Sequence, residues 1–261
     1  MRGRTIPLSA PRRFVNDLLR AAAGVPTVPV QRTMPLARLA DARAHCEAKP
    51  TWTALFTLAY ARVCREYPEL RRAYLKWPTA RLYEYPVSVA AVAVERDIGG
   101  EKAVLVGKLK DPAAMTMAAI DAAVTAFRTA PVESVKDFRR ALYVASLPLP
   151  LRRLVWGVAL NCGRQRGNYV GTFGVTAYSA LGAESLHPIS PCTTTLTYGV
   201  MGKSGETTVR LIYDHRVLDG ATVARALERL EREFTLTLPL ELATRLATPA
   251  PRPRLAFSPA A

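Results

Sequence analysis

Along this chain, stretches in which apolar residues recur every three or four positions alternate with stretches in which they recur every second position. Residues 11–23, PRRFVNDLLRAAA, open on a proline and set Phe14, Leu18 and Ala21 or Ala22 on one face, which predicts a short amphipathic helix. VPTVPVQRTMPL alternates apolar residues between prolines, as an edge or irregular strand does, and leads into a helical stretch around 35–47. TWTALFTLAYARVCREYPEL carries a dense apolar face that Pro68 terminates, so that helix is expected to be largely buried.

PVSVAAVAVE (86–95) and KAVLVGKL (102–109) are strand-like, and DIGGE between them predicts a hairpin. Asp111-Pro112 then opens a helix to about residue 129, with Met115, Ile120, Val124 and Phe127 as its inner face. The most apolar stretch, LPLPLRRLVWGVALNC (147–162), has two central arginines and falls short of the roughly twenty residues a membrane span needs. It reads as a buried or interface helix, the alternative being a helix lying on a membrane surface with Arg152, Arg153, Arg164 and Arg166 as its cationic flank. NYVGTFGVTAY, TTTLTYGVMG and ETTVRLIYDH then predict three strands in an antiparallel or mixed unit, the last two joined tightly by Gly-Lys-Ser-Gly at 202–205. Finally ATVARALERLEREF repeats Val223, Leu227, Leu230 and Phe234 at helical spacing, with Asp219 placed to cap its N-terminus. The sum is an α/β chain, a mixed sheet packed against helices, over residues 1–245; the Pro- and Ala-rich stretch 246–261 reads as a disordered tail.

With 49% hydrophobic and 22% charged residues the composition is that of one large domain or two intimately packed halves. The net charge of +15 suits an anionic partner, whether nucleic acid, a membrane surface or a small ligand. The 36 Lys and Arg come as scattered pairs, without a long basic tract or interleaved aromatics, which speaks against a nucleic-acid module and for an anionic small ligand. The four cysteines form no CxxC pair and no metal-ligand spacing with His45, His187 or His215, so no metal site is expected and the thiols read as reduced, in a cytoplasmic protein. MRGRTIPLSAPRRF lacks the apolar core of a secretory signal.

One of the three histidines, His215 in YDHRVLDGA, ends a strand four residues before an Asp-Gly pair. A lone His is more often a packed or surface residue, but imidazole at a strand end can also accept a proton. DHRVLDGA resembles the HxxxDG signature of the chloramphenicol acetyltransferase-like fold, in particular of the catalytic domains of dihydrolipoyl acyltransferases, the acyltransferase subunits of 2-oxoacid dehydrogenase complexes. IPLSAPRRFVNDLL is similar to the helix that opens such domains, GTFGVTAYSALG to their GTF-plus-hydroxyl segment, and HPISPCTTTLTYGVMG to their proline-containing turn and strand. The four blocks keep their order over residues 5–235.

The resemblance implies a two-layer α/β sandwich assembled as trimers or multiples of trimers, with active sites between subunits. It implies that His215 acts as general base in transfer of an acyl group between a coenzyme A thioester and a thiol, hydroxyl or amine, and that Thr176 steadies the oxyanion. Thr176 also has a plain reading as a strand threonine. Asp219 is implied to be mainly structural, capping the following helix and pairing with Arg12, and Gly220 to allow close backbone approach or an unusual dihedral. No lipoyl or subunit-binding domain is expected ahead of the catalytic block, and no lipoyl attachment, the candidate lysines Lys108 and Lys110 lying in strand contexts. The stretch from Thr176 to His215 is shorter than in the lipoyl-dependent enzymes and carries Thr for their commoner Ser, which points to another acceptor or a separate carrier protein. Two other readings stay open: an inactive family member serving as an oligomeric scaffold or binding module, and a membrane-surface acyltransferase for a lipid acceptor.

Overall fold

A computed structural model describes residues 3–247. Nine α-helices and eight strands are assigned among them, besides short 3-10 and π segments. In chain order they are α1 (Ala10–Ala22), β1 (Thr27–Pro35), α2 (Ala37–Ala44), α3 (Trp52–Glu66), β2 (Arg72–Leu75), β3 (Arg81–Glu84), β4 (Val89–Ile98), β5 (Glu101–Lys110) and α4 (Met117–Thr129). There follow α5 (Lys136–Ser146), α6 (Leu149–Asn161), α7 (Gly163–Tyr169), β6 (Phe173–Thr176), β7 (Thr194–Tyr198), β8 (Glu206–Asp214), α8 (Gly220–Arg232) and α9 (Leu238–Ala247). Six strands form a mixed sheet in the order β1-β8-β7-β6-β4-β5, and β2 pairs with β3 in a separate hairpin. The α/β class and the helix-backed sheet expected above are observed. Because α9 carries the chain to Ala247, residues 246 and 247 are helical; the rest of the expected disordered tail, from 248, lies outside the described residues.

The core sits between one face of the sheet and α3, α4 and α8. Thr51 caps α3 by accepting from Ala54 N, and is itself held by Asp121 at 2.7 Å. Ten of the fifteen α3 residues are buried, as the dense apolar run demands. Tyr60 packs edge-on to Phe173 of β6 and donates to Thr194 of β7 at 2.9 Å, so one side chain ties the helix to both central strands. Across the β4–β5 hairpin Gly107 faces Phe127, whose ring lies where a Cβ would need to be.

Several expectations fail for identifiable reasons. The helix predicted from Asp111 to about 129 is split: Asp111 takes a left-handed φ of 49°, a 3-10 turn follows, and α4 starts only after Thr116 caps it. On α1 the inward position is Asp17 rather than Leu18, because Asp17 meets Arg152 of α6 in an ion pair at 2.9 Å with both side chains 9% exposed. Asn168 and Tyr169 end α7 instead of starting a strand; Gly163 and Gly167 let that helix lie directly against the rings of Tyr83 and Tyr85. The three C-terminal strands, by contrast, form a mixed unit, one of the two arrangements expected, β6 running parallel to β7 and β7 antiparallel to β8. Of the buried or interface helix expected over 147–162, the buried form is not observed: only Arg152 and Ala159 of α6 are buried, while Leu151, Leu154 and Val158 face outward. Of its supposed cationic flank, Arg152 and Arg166 are buried, Arg166 donating to the Pro191 carbonyl at 2.6 Å.

Candidate active site

His215 follows the last residue of β8, where the chain leaves the sheet. Its backbone N–H donates to the Pro26 carbonyl at 3.0 Å, just before edge strand β1, so the turn is pinned to the sheet on that side. The two residues flanking it hold the turn on the other. Asp214, 1% exposed, accepts from Arg216 at three donors, Nε at 2.9 Å, Nη2 at 2.7 Å and the backbone N at 3.0 Å. The Arg216 guanidinium also lies 4.3 Å over the Tyr74 ring. Between these two residues in sequence, the His215 side chain is half exposed, and its Nδ1 lies 3.0 Å from the Leu218 carbonyl. A carbonyl only accepts, so Nδ1 carries the proton of the neutral ring and Nε2 presents its lone pair to solvent.

Asp219 and Gly220 stand differently from the sequence expectation. Asp219 occupies the N-cap position of α8, its carbonyl receiving Thr222 N and Val223 N, but its carboxylate makes no capping hydrogen bond; it is 88% exposed and lies 3.9 Å from His215 Nδ1. Arg12 does not pair with it. That guanidinium sits 3.5 Å from Glu101 on β5, because α1 packs at the β5 edge, whereas His215 leaves β8 at the β1 side of the sheet. Gly220 has an ordinary helical backbone, and a Cβ there would meet the Tyr213 hydroxyl at an ordinary 3.5 Å, so neither close approach nor an unusual dihedral requires glycine.

Thr176 closes β6 at the opposite end of the sheet. Register places it beside Thr197, whereas Tyr213, two residues before His215, is beside Thr194. His215 and Thr176 of one chain are therefore separated by about 16 Å along the strands and two strand spacings of about 5 Å across them. They do not share a site within one protomer.

The Thr176 end opens onto two cavities of about 320 Å³ each, which share Thr53, Arg128, Ser179, Ala180 and Tyr198. Tyr198 stacks flat on Phe56 at 3.9 Å, and its hydroxyl is 3.1 Å from Thr53 Oγ1. Burial raises the pKa of that phenol, so it keeps its proton at neutral pH. The cationic groups of this groove are Arg128, which is exposed and makes no hydrogen bond or ion pair among the described residues, and Arg43, which stacks over Trp52 at 5.2 Å. The sequence reading missed Arg43, Arg128 and Tyr198, which sit on three separate elements. It also missed the Asp214–Arg216 clasp, although both residues adjoin His215 in the sequence. No group of His, Cys, Asp and Glu among the described residues could hold a metal ion.

By sequence the chain matches no family profile and no curated protein. By structure it is similar to a probable dihydrolipoamide acetyltransferase from Listeria monocytogenes, with a TM-score of 0.64 at 15% identity over 92% of this chain and 95% of that one. It is similar to the Azotobacter vinelandii dihydrolipoamide acetyltransferase, in which a serine, a histidine and an asparagine were investigated for their role in catalysis, with a TM-score of 0.64 at 18% identity over 90% and 93% of the two chains. The cubic core of a pyruvate dehydrogenase multienzyme complex matches with a TM-score of 0.61 at 18% identity over 90% and 93%. The fold is thus that of dihydrolipoamide acetyltransferase catalytic cores, as the resemblance of DHRVLDGA implied.

Proposed function

We propose that the chain is an acyltransferase that moves an acyl group between a coenzyme A thioester and a nucleophilic acceptor, at a site completed by two protomers. The observation that carries this is the placement of His215: Nδ1 lies against the Leu218 carbonyl, so the neutral tautomer has its lone pair on Nε2 of a half-exposed ring. Nε2 takes the proton of the acceptor thiol, hydroxyl or amine as that group adds to the thioester carbonyl. The carbonyl oxygen becomes an oxyanion, to which the Thr176 hydroxyl of a neighbouring protomer donates a hydrogen bond. The tetrahedral centre then collapses, the carbon–sulfur bond breaks, and the coenzyme A sulfur leaves with the proton returned by the imidazolium.

His215 and Thr176 lie too far apart within one chain to act on one carbonyl, and a neighbour that brings its Thr176 end to the His215 end resolves the distance. A cube has three-fold axes through its corners, so the cubic core of the pyruvate dehydrogenase complex supports the reading of a trimer or a multiple of trimers here. That a serine and a histidine were investigated for catalysis in the Azotobacter enzyme supports pairing a hydroxyl residue with a histidine here. Arg43 and Arg128 supply positive charge for coenzyme A phosphates at the Thr176 groove.

Calorimetric titration with coenzyme A tests the substrate. Binding is expected at an ionic strength of about 50 mM and is expected to weaken at about 500 mM, where the Debye length is roughly threefold shorter. Absent or salt-independent binding would favour the inactive-scaffold reading instead. Light scattering of a monomer at micromolar concentration would remove the shared site.

A further inference from the structure

The outward face of α6 and the turn between β2 and β3 form one surface. Trp77 N donates to Asn161 Oδ1 at 2.9 Å, joining the turn to the end of the helix, and a shallow cavity of about 480 Å³ lies between Trp77, Leu154 and Val158. The inward face of α6 is anchored, Arg152 to Asp17 and Ala159 into the body of the protein. What remains outside is apolar: Trp77 is 70% exposed, Leu154 63%, Val158 55% and Leu151 50%. A contiguous set of large apolar side chains in water, with an exposed tryptophan among them, marks a contact surface.

Its charge says which kind. Residues 138–183 and 70–83, which supply both elements, contain no Asp or Glu. Arg153, Arg164, Lys76 and Arg81 are exposed around the apolar group. Asp17, which approaches α6, is buried against Arg152, and Glu84 at the far end of β3 is paired with Arg72 at 2.8 Å. A twofold contact between copies through this face would set cation against cation with no carboxylate to offset it. An anionic lipid surface complements both properties, taking the Leu and Trp side chains at the acyl boundary and the basic rim among the headgroups. No described helix is long and apolar enough to cross a membrane, so the contact is peripheral.

We propose that α6 and the Trp77 turn dock this protein on an anionic lipid bilayer, α6 lying in the interface plane with Leu151, Leu154 and Val158 inserted. The inference does not depend on the acyl-transfer reading. The full chain is sedimented with vesicles of phosphatidylcholine alone and of equimolar phosphatidylcholine and phosphatidylglycerol. The expected result is co-sedimentation with the anionic vesicles and none with the neutral ones. Leu154→Glu and Trp77→Ala are each expected to lower partitioning by about tenfold or more. Arg153→Gln is expected to lower it by about fivefold. Leu240→Glu, on the exposed side of α9, is the control that leaves it unchanged, and each variant's melting curve establishes that it is folded. Failure of the wild-type chain to sediment with anionic vesicles overturns the proposal, as do equal binding to neutral vesicles and binding that the three folded variants leave intact. A fall in assembly mass for Leu154→Glu, with no vesicle binding by the wild type, would assign the face to a second copy and overturn it as well.

Discussion

The two ends of the central sheet are built differently. At the His215 end the turn is held by the pair of buried Asp214 and part-buried Arg216, by the Pro26 and Leu218 carbonyls and by Tyr74 under the guanidinium, and His215 Nε2 and the exposed Asp219 carboxylate are left without a hydrogen bond among the described residues. At the Thr176 end the strand stops at an open groove with Arg128 unpaired, and Tyr198 is the buried polar group that lines it. A base needs a fixed tautomer and direction, so its surroundings are stiff and fully bonded. A groove for a long anionic substrate needs room and unmatched charge. Substitutions at the first end should therefore register in stability wherever they touch the clasp, and those at the second mainly in rate.

The largest effect is expected from His215→Ala, a loss of about 10² to 10⁴ in turnover, followed as thiol release from acetyl-coenzyme A. Its melting temperature should stay at the wild-type value, since the ring is half exposed and outside the clasp. Full activity in the folded variant would return His215 to the class of surface histidines. Asp214→Ala should cost about 3 kcal/mol of unfolding free energy in a urea titration, the low end for breaking a buried pair, because Arg216 can turn to water. An unchanged midpoint would mean that the clasp does not hold the turn.

Thr176→Val keeps a β-branched strand residue and removes only the hydroxyl. A rise in the barrier of about 3 kcal/mol is expected, with stability moved by no more than about 0.5 kcal/mol. Co-expression of Thr176→Val with His215→Ala sharpens the comparison between the ends. If sites lie between protomers, mixed assemblies regain sites that have both wild-type residues, and activity returns. If both residues served one chain's own site, none would. The smallest effect is expected from Tyr198→Phe, about 1 kcal/mol or less of stability for the lost hydrogen bond to Thr53, read from the same urea titration.

Periodicity in the sequence located most of the elements, because the apolar spacing that identifies a helix or strand is the same spacing that buries it: α3, the β4–β5 hairpin, β8 and α8 all lie where their patterns put them. It went astray where the signal was tertiary. The Phe14–Leu18 pattern could not indicate that Asp17 would turn inward, since the reason is Arg152, 135 residues away. Nor did the apolar character of 147–162 tell which side of the helix would face out, because orientation was decided by where that ion pair and Ala159 anchor it. In the candidate site, His215 at a strand end before an Asp-Gly pair was legible because a strand, a turn and a helix start are local events. The partners of Arg12, the idle carboxylate of Asp219 and the separation of Thr176 from His215 were not, because they follow from sheet order and register. Which strands lie side by side, and which ends they present together, is fixed by long-range packing that no local pattern of residues encodes.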